Sequence, residues 1–241
     1  MRHRPDMKIR DAFSSHQTLR SNISRVHGVG SLCFGLLAGE LVSANQISSL
    51  ISRILSRAEV NWDALLTVVT VSLQALSRMD QELSNCLRNL ICESLSTQSS
   101  EAFLAGLLVS RHACLEESPE FSSYSSWFFK LFCGEGSLLS SPSQVEFFYK
   151  VLTGLVPEEP EFALRAQLSN QPRIPPNLKY LSEEYRQLAR TQLLDGTREP
   201  GYKVPDLLGP GVIKLAKGKY FDFSSFIIHK LILLLLFQDE N

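Results

Sequence analysis

The sequence predicts an all-α fold of stacked antiparallel helix pairs, and three observations carry that expectation. Apolar residues recur at helical spacing almost from end to end. No run alternates convincingly with period two. The breaks between apolar stretches fall at Ser, Asn, Asp, Pro and Gly residues of the kinds that start or stop helices.

The clearest helix spans about Asn45 to Ala58, where Ile47, Leu50, Ile51, Ile54 and Leu55 form a single stripe. Ahead of it, Ser43 and Gln46 fit a capping box, in which each side chain satisfies a free backbone N–H. The next helix starts at Asn61 and carries Leu65, Leu66, Val69, Leu73 and Leu76, although Val68-Val69-Thr70-Val71 suits a strand equally well. Asp80 is placed to cap a third helix with Leu83, Leu87, Leu90 and Ile91 on its apolar side, and Ser100 a fourth with Phe103, Leu107 and Cys114 buried.

After a connection at Glu116–Glu120, an aromatic helix holds Phe121, Tyr124, Trp127, Phe128, Leu131 and Phe132 and ends before Gly134. Ser141-Pro142 opens another helix, since proline in the first turn loses no intrahelical bond; that helix stops at Pro157. Pro157–Pro176 is proline-rich, with one short helix around Phe162–Leu168. The last helix runs from about Asn177 to Leu194, with Gly196 as its C-cap.

Between Asn45 and Leu115 the helices pair as two hairpins of roughly 35–40 residues, the range of HEAT-like α-solenoid repeats. A compact helical bundle fits the same pattern. The expected organisation is a poorly ordered N-terminal segment (residues 1–30), a helical-repeat domain (31–195), and a Pro/Gly-rich linker with an unrelated hydrophobic tail (196–241).

Composition narrows the function classes. The 24 Lys+Arg nearly cancel the 25 Asp+Glu, so there is no basic excess of the kind that marks nucleic-acid-binding domains. Five scattered cysteines without a C-x-x-C pair read as free thiols of a reducing compartment. No secretory leader is read after Met1–Arg10. The apolar run Phe226–Phe237 is interrupted by His229 and Lys230 and falls short of the ~20 residues needed to span a bilayer, so no membrane association is expected.

Catalytic constellations are weak or missing, and neither an enzyme, a cofactor, a metal nor a small-molecule substrate is expected. Gly28-Val29-Gly30 lacks the third glycine of a dinucleotide loop, since Cys33 stands there. There is no G-x-S-x-G elbow and no H-E-x-x-H helix. Arg111, His112 and Cys114 lie close together, but helical residues two apart diverge by about 200°, which favours a core cysteine and a surface histidine. The pairs Glu116-Glu117, Glu158-Glu159 and Glu183-Glu184 read as solvated acids near helix ends. Asn22-Ile23-Ser24 is a chance match to a glycosylation sequon.

The sharpest remaining feature is aromatic. Tyr124, Trp127, Phe128 and Phe132 share one helical face and are candidate core residues or, alternatively, partner anchors. A nucleic-acid-binding helical-repeat module is the alternative function, and would need a basic stripe from Arg53, Arg57, Arg78, Arg88 and Arg111.

Arg111, Ala113, Leu115 and Glu116, followed by Phe121, Ser123, Tyr124, Trp127 and Phe128, form a collinear pattern. Val60, Trp62 and the Leu65–Val71 run precede it. Leu155-Val156-Pro157, Pro160, Pro172, Pro175-Pro176, Tyr185, Leu188, Ala189, Thr191 and Leu193 continue it. This pattern resembles an internal stretch of the Fanconi anaemia group A family, clearly over residues 60–194 and more faintly over 13–59. The resemblance implies a fragment or truncated form of a non-catalytic helical-repeat scaffold. Its partners would be other subunits of the nuclear Fanconi anaemia core complex, which attaches ubiquitin during repair of DNA interstrand crosslinks, with the ligase chemistry in another subunit. The family's N-terminal segment, which holds a nuclear-localisation signal and binds the group G subunit, has no match here, so the resemblance implies a nuclear protein, or a cytoplasmic one if this form lacks the import signal.

Overall fold

The computed structural model describes residues 7–26, 43–56 and 60–196, and every element with regular structure among them is helical. The α-helices are α1 (Ile9–Val26), α2 (Ala44–Leu55), α3 (Trp62–Ala75), α4 (Met79–Thr97), α5 (Ser100–Ala113), α6 (Tyr124–Phe132), α7 (Pro142–Leu155), α8 (Glu161–Ser169) and α9 (Lys179–Gly196). Short 3₁₀ turns at Cys114–Glu116, Pro119–Phe121, Val156–Glu158 and Pro176–Leu178 make the proline-containing connections. The described residues are all-α, as the periodicity predicts.

Caps explain most of the starts. Ser43 and Ser141 each form a full capping box, with Gln46 and Gln144 as the reciprocal partners. Asn61 accepts the Ala64 N–H at 3.1 Å, and Ser123 accepts that of Ser126 at 3.1 Å. Two expected caps are displaced. Ser99, not Ser100, caps α5 by accepting the Ala102 N–H at 3.4 Å. Asp80 lies inside the first turn of α4, behind an N-cap Arg78 in the left-handed region (φ 66) that makes no side-chain cap. Its carboxylate instead accepts the backbone N–H of Gln81 at 2.9 Å and reaches that of Glu120 at 3.4 Å, steadying the turn that carries Phe121.

Residues 9–26, expected within a poorly ordered segment, form α1. Its buried side is Ala12, Phe13, His16 and Leu19. That stripe contains a histidine and is flanked by polar residues, so its apolar signal is diluted. The β-branched run in α3 is helical because tertiary burial overrides propensity: Val68, Val69, Thr70 and Val71 are all buried. α3 packs chiefly on α1 and α5.

Of the two hairpins expected between Asn45 and Leu115, α4–α5 is the most extensively packed helix pair. α2 lies mainly on α4 rather than on its chain neighbour α3. The α4–α5 approach is close because α5 has no side chain at Gly106, where a Cβ would stand 2.7 Å from Ile91 Cγ1. Gly106→Val is expected to destabilise the fold by about 1–3 kcal/mol through overpacking, read as a lowered urea midpoint at unchanged slope.

α7 and α9 pack together, and α8 bridges α6 and α9. Buried apolar residues from Ala12 to Ala189 form a single cluster. The linker and tail expected over residues 196–241 lie, beyond Gly196, outside the described residues, as do Cys33, Arg57 and the glycine pair at 28 and 30. No helix among the described residues is long and apolar enough to cross a membrane.

Candidate functional site

Helix α5 is apolar on every side through Phe103-Leu104-Ala105-Gly106-Leu107-Leu108-Val109, and a helix of that kind sits in the middle of a core. Its last turn nevertheless carries Arg111 and His112, which are 1% and 0% exposed. The surface histidine expected from the sequence is thus a buried one. These two side chains start two polar chains that run through the interior.

Arg111 Nη1 meets Glu159 Oε2 at 2.7 Å, with both side chains 1% exposed. Glu159, expected to be a solvated acid, is drawn inward just after the 3₁₀ turn Val156–Glu158, and its N–H closes that turn by donating to Val156 O at 3.4 Å. Its other oxygen accepts from Gln167 Nε2 at 3.2 Å, and the same amide nitrogen donates to the Tyr124 hydroxyl at 3.1 Å. The Gln167 carbonyl accepts from the Tyr185 hydroxyl. The guanidinium also stacks 4.6 Å over the Phe13 ring and donates from Nη2 to the Phe13 carbonyl at 3.5 Å. α1, α5, α6, α8 and α9 therefore meet around one ion pair.

The second chain runs the other way. His112 Nε2 lies 3.2 Å from the Leu66 carbonyl and 2.8 Å from Thr70 Oγ1. A carbonyl can only accept, so Nε2 carries a proton, and Nδ1 shares a hydrogen bond with His16 Nε2 at 3.1 Å. Thr70 donates onward to Glu116 Oε1 at 3.1 Å, and Gln74 donates to Glu116 Oε2 at 3.0 Å. Just ahead of α1, Met7 O accepts from Trp62 Nε1 at 3.0 Å, and Arg10 of α1 donates to Gly154 O at 3.1 Å and pairs with Glu158 at 3.6 Å.

The electrostatics of this interior suit structure. Burial pushes the Glu159 carboxyl above its usual range, against the lowering influence of Arg111 and Gln167. Burial also raises the Cys114 thiol to about 12 and Cys133 to about 11, so both stay protonated at neutral pH and are poor nucleophiles. No group of three or more His, Cys, Asp or Glu among the described residues could hold a metal ion.

Tyr124, Tyr149 and Tyr185 are all raised above the ordinary 10.0, with burial as the first cause. The folded chain then holds these protons more tightly than the unfolded chain does. Stability is therefore full below pH 10 and falls as pH rises past it, at about 1.4 kcal/mol per pH unit for each such tyrosine. Urea titrations across that range check this expectation, and a flat profile contradicts it.

The four aromatic candidates are brought together and covered. Tyr124 stacks on Trp127 at 5.5 Å, Trp127 meets Phe132 edge-on at 6.0 Å, and Phe128 and Phe132 lie 4.9 Å apart. Phe132 in turn packs 4.8 Å from Phe148 of α7. The exposed aromatic of this helix is Phe129, 51% exposed.

Of the basic stripe that the alternative nucleic-acid reading would need, two arginines are engaged within the fold. Arg111 is spent on Glu159, and Arg88 donates to Gly136 O at 3.0 Å. Arg53 and Arg78 remain exposed on separate helices. A cavity of about 1270 Å³ opens between the start of α1, the end of α2, the α4–α5 connection and α7. Its lining mixes Ile9, Trp62, Leu104 and Phe147 with Arg10 and Lys150.

A family model described as the Fanconi anaemia group A protein N terminus matches residues 1–196. The human Fanconi anemia group A protein is 25% identical over 194 residues, which cover 80% of this chain and 13% of that protein. The mouse homolog is 24% identical over the same extent. The chain thus spans about 13% of the length of the curated relatives it matches. No solved structure matches it.

Proposed function

The chain belongs to the Fanconi anaemia group A family, and from that premise we propose that it is a non-catalytic scaffold segment acting in the Fanconi anaemia pathway of DNA repair. Residues 31–195, joined by α1, would act as a unit of stacked antiparallel helix pairs, with residues 196–241 as a separate linker and tail. Its partners are the other subunits of the nuclear core complex that supports ubiquitination during crosslink repair. Its place of work is the nucleus.

The observation that carries this reading is where the interior's ionisable groups go. Arg111, Glu159, His16 and His112 bond to one another or to backbone and amide groups across helices α1, α3, α5 and α8. Groups used in this way fix helix positions and offer nothing to a substrate. What the segment then presents to other molecules is the outer surface of the helices, the part of a helical array that binds partners.

The test is affinity purification of the tagged chain from dividing cells, with and without residues 198–241, read by mass spectrometry. Recovery of core-complex subunits is the expected result. Recovery of chaperones alone contradicts the reading. Steeply salt-dependent binding to DNA by the purified chain would favour a nucleic-acid module instead.

A further inference from the structure

We propose that the buried contact between His16 and His112 is an acid-sensitive latch on α1, holding that helix against α3 and α5 at neutral pH and releasing it as the two imidazoles become charged. This goes beyond the scaffold reading and does not depend on it.

The latch places one histidine on each side of a helix interface. His16 of α1 is 4% exposed, and His112 in the last turn of α5 is 0% exposed. Their rings meet edge-on with centroids 5.3 Å apart. His16 Nε2 and His112 Nδ1 stand 3.1 Å apart, a separation that holds one hydrogen between them. The far nitrogen of His112 keeps its own proton throughout, because it faces the Leu66 carbonyl at 3.2 Å and Thr70 Oγ1 at 2.8 Å, whose hydrogen goes to Glu116.

One added proton leaves the contact intact, since the ring that becomes an imidazolium donates across it to the neutral ring. Two added protons break it. Both facing nitrogens would then carry hydrogens, N–H against N–H, and two like charges would stand together in the interior.

The charged side chains on the surrounding elements leave that limit in place. On α5, Glu101 stands at the far end, and Arg111 beside His112 is already paired with Glu159. On α1, the exposed Asp11 and Arg10 lie more than a turn before His16, with Arg10 paired to Glu158 at 3.6 Å. Glu116 is linked to His112 through Thr70, and the half-buried Asp63 lies in the first turn of α3. These two acids favour a first added charge, but two facing N–H groups still repel.

Release puts His16 in water and opens the Nδ1 side of His112, and a histidine in water binds a proton near pH 6.5. Below that pH the released state holds at least one proton more than the docked state. Attachment is therefore full at neutral pH and is lost as pH falls, with the docked-to-released ratio dropping at least about fivefold from pH 6 to pH 5. Release bares Ala12, Phe13 and Leu19 and withdraws the Phe13 ring from Arg111.

Hydrogen–deuterium exchange of the intact chain at pH 7, 6 and 5, corrected for intrinsic rates, tests this. Protection of α1 should fall at least about fivefold from pH 6 to pH 5, while α4 and α7 keep theirs. His16→Gln should flatten the α1 profile, since an amide can donate to His112 Nδ1 or accept from it without taking up a proton. His3, His27 and His229 are common to both chains and drop out of the comparison. Protection of α1 that ignores pH in the unmodified chain overturns the proposal, as does an equal fall in every helix. Should the variant dock α1 poorly at neutral pH, the ring ¹⁵N shifts of the unmodified chain decide. Two imidazolium signals with α1 still protected contradict the latch, and at most one added proton in the docked pair supports it. None of these outcomes touches the scaffold reading, whose test reads partner recovery.

Discussion

Arg111→Leu is expected to cost about 3–5 kcal/mol of folding stability, because it leaves the Glu159 carboxylate in the interior without its countercharge. Both groups are 1% exposed, so water does little to screen the loss. The pH dependence should be distinctive. Without Arg111 the folded-state pKa of Glu159 rises further above the ordinary glutamate value of 4.5, the direction in which burial already pushes it. The folded variant then binds that proton more readily than the unfolded chain, and the deficit shrinks as pH falls toward 4.5.

The double substitution Arg111→Leu/Glu159→Leu should recover most of the loss, since a buried pair replaced by apolar residues is often neutral or stabilising. The native pair is imperfect in one respect: Arg111 Nε has no protein acceptor, which adds to the cost of keeping it. Urea midpoints for the wild type, two single variants and the double variant give the coupling directly. Additive losses contradict the picture of one coupled buried pair.

Trp127→Ala carries the second large effect, about 3–5 kcal/mol for truncating a buried aromatic. Trp127 is 3% exposed and touches Tyr124 on one side and Phe132 on the other. Loss at this point therefore loosens both the α6 anchor and the ring cluster that reaches Phe148. Phe129→Ala, two residues away on the same helix, should change stability by no more than about 0.5 kcal/mol. A normal melting temperature in Trp127→Ala removes the core assignment of this aromatic face. A large loss in Phe129→Ala would show that the surface of α6 is covered.

What the sequence could and could not announce follows from range. The Ser43–Gln46 box, the Ser141-Pro142 start and the Asn61 cap rest on residues no more than three positions apart, and each appears where local chemistry puts it. The Arg111–Glu159 pair spans 48 residues and the His16–His112 contact spans 96, distances at which no local pattern speaks. A signal did exist: a charged residue and a histidine closing a helix that is apolar on all sides. Weighing each residue by type made His112 and Glu159 surface groups. Weighing Arg111 and His112 by the environment of α5 would have placed both inside, whereas Glu159, in a connection between helices, carried no such signal. The same reasoning accounts for α1, whose buried stripe includes His16 and only becomes apolar enough once its polar partner in α5 is known.

The most direct test of the central claim, that the interior ionisable groups build the fold and the surface does the work, uses the Arg111→Leu/Glu159→Leu chain. Tagged and expressed in dividing cells, it should recover core-complex subunits as fully as the unmodified chain, because neither residue is offered to a partner or a substrate. A stably folded double variant that loses those subunits would contradict the account and assign this buried pair a direct part in function.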